Sequence, residues 1–559
     1  MASLRHLLTT NQALTDHERV RLKETVAEYD DKLNLITQKI SALEEQLRIL
    51  NAEKTALLEA SAPFRRALSP FRQLPEDVVR VIFVACLETR WNPTMAKTEA
   101  PVLLTQISRA TRMIALTTPE LWAAIHIPII LSTTPETEDT AKSIMTARTE
   151  GAKEWLLRRS GNLPLHISVY ENREFSQIET TRFLGSEFID DLIHVIIACR
   201  SRWKNVHFSC NPTTISHVSM LNQYDVPLLQ SLSVSTFTTP NGQSRGDFWR
   251  NSDILQAPML KKFRQMGSGG VSTYPVNWPN LTHLYCDHLR FDIMNDLVHV
   301  LRQATHLIRL DLIVTDAGWP PSLRPISLPH LTTLVFIGLG AAQPIEHGEG
   351  MLGSINAPSL EIISYNSAMY DVARSPALIA CLKQSSNIRE LSTGQPSSCD
   401  ILIEYLSHCP SLLTLHIPAP ERIFAWQPQL NRNINTVLNA LTQNNPAQCL
   451  CPQLEYFRYG LARVVSLPAL RDFLVRRNGT IPGLSRLKAL VMDFEYDPIE
   501  EPLLKGIQSA ETVGNIRLEV TFRKTIADSL ALDRGISHVT SPVDDWWPSR
   551  IVDDMTYLC

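Results

Sequence analysis

The sequence predicts an α/β chain: a long N-terminal coiled-coil helix, a small helical module, then an irregular solenoid of helix–loop–strand units. Three observations carry this. Residues 14–60 contain no Pro and no Gly, and their apolar residues recur at alternating steps of three and four. From Pro227 onward one phrase, Pro-x-Leu-x-x-Leu, keeps returning ahead of strand-like apolar residues. The 559 residues hold 35 Pro against 21 Gly, the reverse of the usual balance of roughly 5% Pro and 7% Gly, so proline serves as regular punctuation. The expected division is a coiled-coil helix at 14–60, a helical module at 68–126, a linker at 127–150, a repeat body at 151–525 and a tail or cap at 526–559.

In the helix, Val26, Leu33, Ile40 and Leu47 take heptad position a, and Tyr29, Ile36, Leu43, Leu50 and Leu57 take position d. Lys54 alone breaks the seam. This is coiled-coil spacing, and it implies a homodimer; the competing reading is a helix that folds back on its own chain. Asp16 is the expected N-cap. Pro63 is expected to end the helix, because proline cannot continue a helix interior.

The module reads as short helices. Pro75 suits a first turn, and Glu76 and Asp77 favour a helix N-terminus through the dipole. Val78, Val79, Ile82, Phe83, Cys86 and Leu87 then fall on one side at helical spacing. Leu103, Leu104, Ile107, Ile114 and Leu116 predict a second and a third short helix, and Leu121 with Trp122 closes the unit as an aromatic plug. A unit of about 50 residues with so few helices is marginal alone and needs a neighbour or a partner.

These residues carry a resemblance. The stretch resembles an F-box, in particular that of the large family found in mushroom-forming fungi, over Leu74, Pro75, Asp77, Val78, Ile82, Phe83 and Leu87. The match continues over Gln106, Ile107, Ser108, Arg109, Arg112, Ile114, Ala115, Thr118, Pro119, Leu121 and Trp122. That family usually has Trp where this chain has Thr111, and Arg or Lys where it has Ala110. The order of helix, module and leucine-rich body also fits it, as does WLLRRSGNLPLHISV at 155–169. The resemblance implies docking to a Skp1-type adaptor, and through it to a cullin ligase of the SCF type. The docking residues would be Leu74, Pro75, Asp77, Val78, Ile82, Phe83, Leu87, Leu104, Ile107, Ile114, Leu121 and Trp122. The repeat body would then hold an unknown protein target. The alternative is a scaffold with a vestigial F-box and no ligase role.

The body's phrase occurs at Pro227, Pro258, Pro279, Pro329, Pro358, Pro410, Pro452 and Pro482, and without proline at Thr305 and Ser386. Ten units over 255 residues give nine steps of about 28, near the 20–29-residue period of leucine-rich repeats. The paired leucines read as core. Helical patterns at 295–303, 401–409 and 469–477 precede it, and 155–169 and 189–208 look like degenerate early units. Insertions at 340–353 and 418–430 are candidate recognition loops.

The function classes that remain are narrow. The net charge of -4 leaves no electrostatic footprint for nucleic acid. No run reaches the roughly 18 apolar residues of a membrane span. MASLRHLLTT lacks a signal-peptide apolar core. Scattered cysteines fit a reducing compartment, so cytoplasm or nucleus is expected. GLGAAQ at 338–343 lacks a third Gly and meets Pro344, so it is no dinucleotide loop. Cys449 and Cys451 have no second pair at zinc spacing, and His207 reads as a strand residue. Neither an enzyme nor a cofactor is expected.

Overall fold

The computed structural model describes residues 15–68, 70–87, 91–130, 135–171, 186–210, 215–236, 249–267, 271–316, 325–338, 352–367, 374–394, 398–417, 434–443, 448–462, 467–479, 481–495 and 516–523. The chain divides into two compact units, Met1–Val79 and Arg80–Cys559. The candidate loop 418–430, the tail 526–559 and all but two residues of the loop 340–353 lie outside the described residues.

The first unit is dominated by one 52-residue helix, α1 (Asp16–Ala67). Its start differs by one residue from expectation. Thr15 is the cap: its amide and hydroxyl both donate to the Glu18 carboxylate, at 3.0 and 2.7 Å, so Asp16 is the first helical residue. The helix also runs through Pro63. Proline withholds one N–H, but Glu59 and Pro63 are both exposed, so water can satisfy the Glu59 carbonyl and the turn survives. A 3₁₀ turn follows at Pro70–Gln73, and the first turn of α2 (Glu76–Ala85) begins after Pro75.

The second unit is built on a fourteen-stranded parallel sheet whose strands lie side by side in chain order. They are β1 (Ala124–Ile129), β2 (Leu165–Glu171), β3 (Trp203–Ser209), β4 (Ser231–Thr236), β5 (Lys262–Gly267), β6 (His283–Arg290) and β7 (Arg309–Asp316). Then come β8 (Thr333–Gly338), β9 (Ile362–Ser367), β10 (Glu390–Thr393), β11 (Thr414–Ile417), β12 (Tyr456–Ala462), β13 (Ala489–Glu495) and β14 (Arg517–Arg523). Helix α3 (Arg109–Leu116) precedes the sheet, and α4 (Pro135–Ala152) and α5 (Ser186–Ala198) return between early strands. Helices α6 (Phe291–Gln303), α7 (Pro376–Gln384), α8 (Cys399–Ser407), α9 (Asn435–Ala440) and α10 (Leu467–Arg476) do so later. Parallel neighbours demand such crossovers.

One register column shows why these residues make this sheet. Ile125, Ile167, Val206, Leu232, Phe263, Leu284 and Leu310 are paired in succession. Leu334, Ile363, Leu391, Leu415, Phe457 and Leu490 continue the column. None of the thirteen is more than 1% exposed. Each such burial contributes about 1.5–3 kcal/mol. The second leucine of the repeated phrase fills this column. The first packs just before the strand, as Leu229, Leu281, Leu307, Leu331 and Leu412 do, all fully buried.

The proline punctuates by setting a turn. At Pro227 the Leu229 amide donates to the Val226 carbonyl at 3.1 Å, and the same bond over one intervening proline recurs at Pro258, Pro279, Pro329, Pro358, Pro410, Pro452 and Pro482. Proline is therefore the second residue of a four-residue turn, where its fixed φ is pre-set. The turn bends the chain into the strand. The phrase at Pro482 is off register: the strand begins at Ala489, and Leu490 pairs with Phe457. The residues in register there are Leu487 and Leu490, so the tenth phrase starts at Ser485.

Residues 127–150 are not a linker. Ile127–Ile129 finish β1 and the rest from Pro135 onward form α4. The sheet starts at Ala124, inside the span assigned to the helical module, well before residue 151.

Candidate protein-docking site

In the first unit Leu74, Pro75, Asp77 and Val78 are exposed, while Val79 is buried. In the second unit, α3 is fixed at both ends. At its start Ser108 and Thr111 form a reciprocal cap: the Ser108 hydroxyl accepts from the Thr111 amide at 3.1 Å, and the Thr111 hydroxyl accepts from the Ser108 amide at 2.8 Å. Thr111 is buried. A Trp, which has no acceptor, could not close this box, and such caps contribute about 1 kcal/mol. At its end the Arg80 guanidinium donates to the Thr117 carbonyl at 2.8 Å and the Thr118 hydroxyl at 2.6 Å. A cation is favourable there because the last carbonyls are unpaired.

Trp122 is the plug that the sequence predicted. It is buried, donates from its indole N–H to the Ala115 carbonyl at 2.8 Å, and meets Trp155 edge-on with ring centroids 4.7 Å apart.

The structure separates the twelve residues assigned to adaptor docking. Phe83, Leu104, Leu121 and Trp122 are buried in the chain's own core and cannot reach a partner. Ile82, Leu87 and Ile114 are half-buried, and Leu74, Pro75, Asp77, Val78 and Ile107 are exposed. The docking assignment omits four further exposed apolar residues, Val81, Val84, Leu103 and Met113. Val81 is 69% exposed, Met113 59% and Ile107 58%. A signal was present: between Val78 and Ala85 every residue of α2 except Arg80 is apolar, too many for one buried stripe.

The sheet's second face carries a polar row one residue along from the leucine column. Successive partners there are His126, Ser168, His207, Ser233, Arg264, Tyr285 and Asp311. The row two residues back pairs Lys262, His283 and Arg309. Arg309 Nε donates to both Asp311 carboxylate oxygens at 3.0 Å, and the Arg264 guanidinium stacks 4.0 Å over Tyr285. Burial, then Lys262 and Arg309, drive His283 down to about 4. Burial and Arg458 drive His416 down to about 3. Burial raises Glu390 to about 8, against the pull of Arg309.

These shifts predict a dome of stability against pH. A histidine whose folded pKa is depressed loses stability as pH falls below its unfolded value near 6.5, here for His283, His416 and, through burial and Lys204, His166. A glutamate whose folded pKa is raised to about 8 loses stability as pH rises from about 4.5 to 8. Between 8 and 6.5 the raised Glu390 makes stability rise on acidification, by at most about 1.4 kcal/mol per unit. Below 6.5 three histidines outweigh one glutamate, and stability falls. Urea midpoints should therefore peak between about pH 6.5 and 7, and Glu390→Gln should flatten the alkaline limb and steepen the acid one. A native limb that stays flat from 6.5 to 8 would contradict this.

Cys449 and Cys451 are buried free thiols, and among the described residues no group of three His, Cys, Asp or Glu is placed to hold a metal ion. His207 lies buried in β3. No described helix is long and apolar enough to cross a membrane.

No protein-family model matches the chain, and no curated protein does. Among solved structures the chain is similar to one described as the crystal structure of a TLR13–ssRNA13 complex, at 12% identity and a TM-score of 0.32. The likeness covers 64% of this chain and spans 46% of that one.

Proposed function

We propose that the chain is a non-catalytic substrate receptor of an SCF-type ubiquitin ligase. Its F-box-like segment docks a Skp1-type adaptor, and its solenoid, of leucine-rich-repeat type, holds a target protein. Ubiquitin chemistry belongs to other subunits, and this chain supplies proximity. The observation that carries the reading is the exposed apolar set on the F-box-like helices, with Val81, Ile107 and Met113 each more than half exposed. Isolated exposed apolar residues need no explanation, but several on short helices held by a buried Trp do. The sheet supports the second half: a long ladder of strands offers varied side chains at fixed spacing.

The test is co-purification of the full chain with Skp1. Val81→Glu combined with Ile107→Glu should weaken association at least tenfold, because each apolar contact removed is worth about 1.5 kcal/mol or more. Both residues are exposed, so the urea midpoint should not move. Failure of the native chain to associate would overturn the reading and leave the scaffold without a ligase role.

A further inference from the structure

We propose that α1 is the dimerisation element of this protein and that its occupant is α1 of a second copy, parallel and in register. The nine seam residues from Val26 to Leu57 are each at least 51% exposed. At roughly 100 Å² of surface per seam side chain, two helices would bury on the order of 2,000 Å² in total, the upper end of a standard stable interface.

Charge selects a second copy. In a parallel pair the positions flanking the seam oppose Lys39 to Glu44, twice by symmetry. The remaining flanking pairs, such as Thr25 with Asp30 and Gln46 with Asn51, oppose no like charges. The seam is thus complementary to itself. Lys54 occupies a single a position, the kind of polar interruption that sets register and strand number at a cost in stability. The far side is built for water: Arg48 donates to Glu45 through two bonds of 2.7 Å, and both residues are exposed.

This inference does not rest on the adaptor reading, and its experiment contains no adaptor. Sedimentation equilibrium of the full chain at about 10 μM should give twice the 63.0 kDa chain mass. Leu43→Glu should return the single-chain mass, with the urea midpoint of the sheet unit unchanged. Leu57→Cys should form an intermolecular disulfide that the native chain does not, since only a parallel in-register pair apposes the two residues. A single-chain mass for the native protein, or a dimer that survives Leu43→Glu, would overturn the seam. A dimer without the Leu57→Cys cross-link would overturn the parallel arrangement.

Discussion

Arg477→Met is expected to destabilise the sheet unit by about 3–5 kcal/mol, read as a fall in the urea midpoint at unchanged slope. Arg477 is fully buried just after α10. Its Nε donates to the Leu441 carbonyl at 3.1 Å and its Nη1 to the Pro452 carbonyl at 3.0 Å. Its Nη2 donates to the Leu450 and Cys451 carbonyls at 3.1 and 3.0 Å, and lies 3.5 Å from Cys449 Sγ. Cys451 has φ +48°, a left-handed conformation that a non-glycine residue holds only when surroundings enforce it. One guanidinium therefore fastens the connection from α9 to β12 and its strained residue. Methionine keeps much of the volume but leaves four carbonyls without this donor, and each unsatisfied buried acceptor costs about 1–3 kcal/mol before water relieves any of it. Arg477→Lys should recover only part of the loss, since a compact ammonium cannot reach the same fork of acceptors. Hydrogen exchange should quicken first at β12 and α10. An unchanged midpoint for Arg477→Met would refute the account.

Arg477 also marks where sequence reading stops. In ALRDFLVRR it looks like an ordinary basic residue closing an amphipathic helix, and α10 was legible on those terms. What was not legible is that the chain curls four carbonyls around that side chain. The leucine column was readable because its geometry is local: positions three and six of the phrase bracket the entry to each strand. The same rule failed at Pro482 because PGLSRL and SRLKAL both satisfy it, and only strand pairing separates them. The stretch 127–150 failed for another reason: its Thr and acidic residues suit a linker, whereas Met145 and Thr149 are buried in the second unit. The twelve residues assigned to docking divide between core and surface. A motif marks core and surface residues alike, and Phe83 and Trp122 belong to the core.

Asp311→Ala is expected to cost about 3–5 kcal/mol, while Arg309→Met with Asp311→Leu should stay within about 1 kcal/mol of the native chain. The two residues sit two apart on β7 and so share one face, with side chains 6% and 5% exposed. Removing the carboxylate alone leaves a buried guanidinium beside His283 and two strands from Lys262, on the same row. Removing both groups takes away the charge and its desolvation together, so the asymmetry between single and double variants identifies the mechanism. A second readout is independent of stability. Burial lowers Lys262 and Arg309 lowers it further, and Arg309 is also among the causes that hold His283 near 4. In the double variant His283 should titrate higher than in the native chain, and in Asp311→Ala lower, as read by NMR of its ring protons. A double variant as unstable as the single one would mean that the pair is held for its packing, and a His283 titration that ignores both variants would remove Arg309 from its environment.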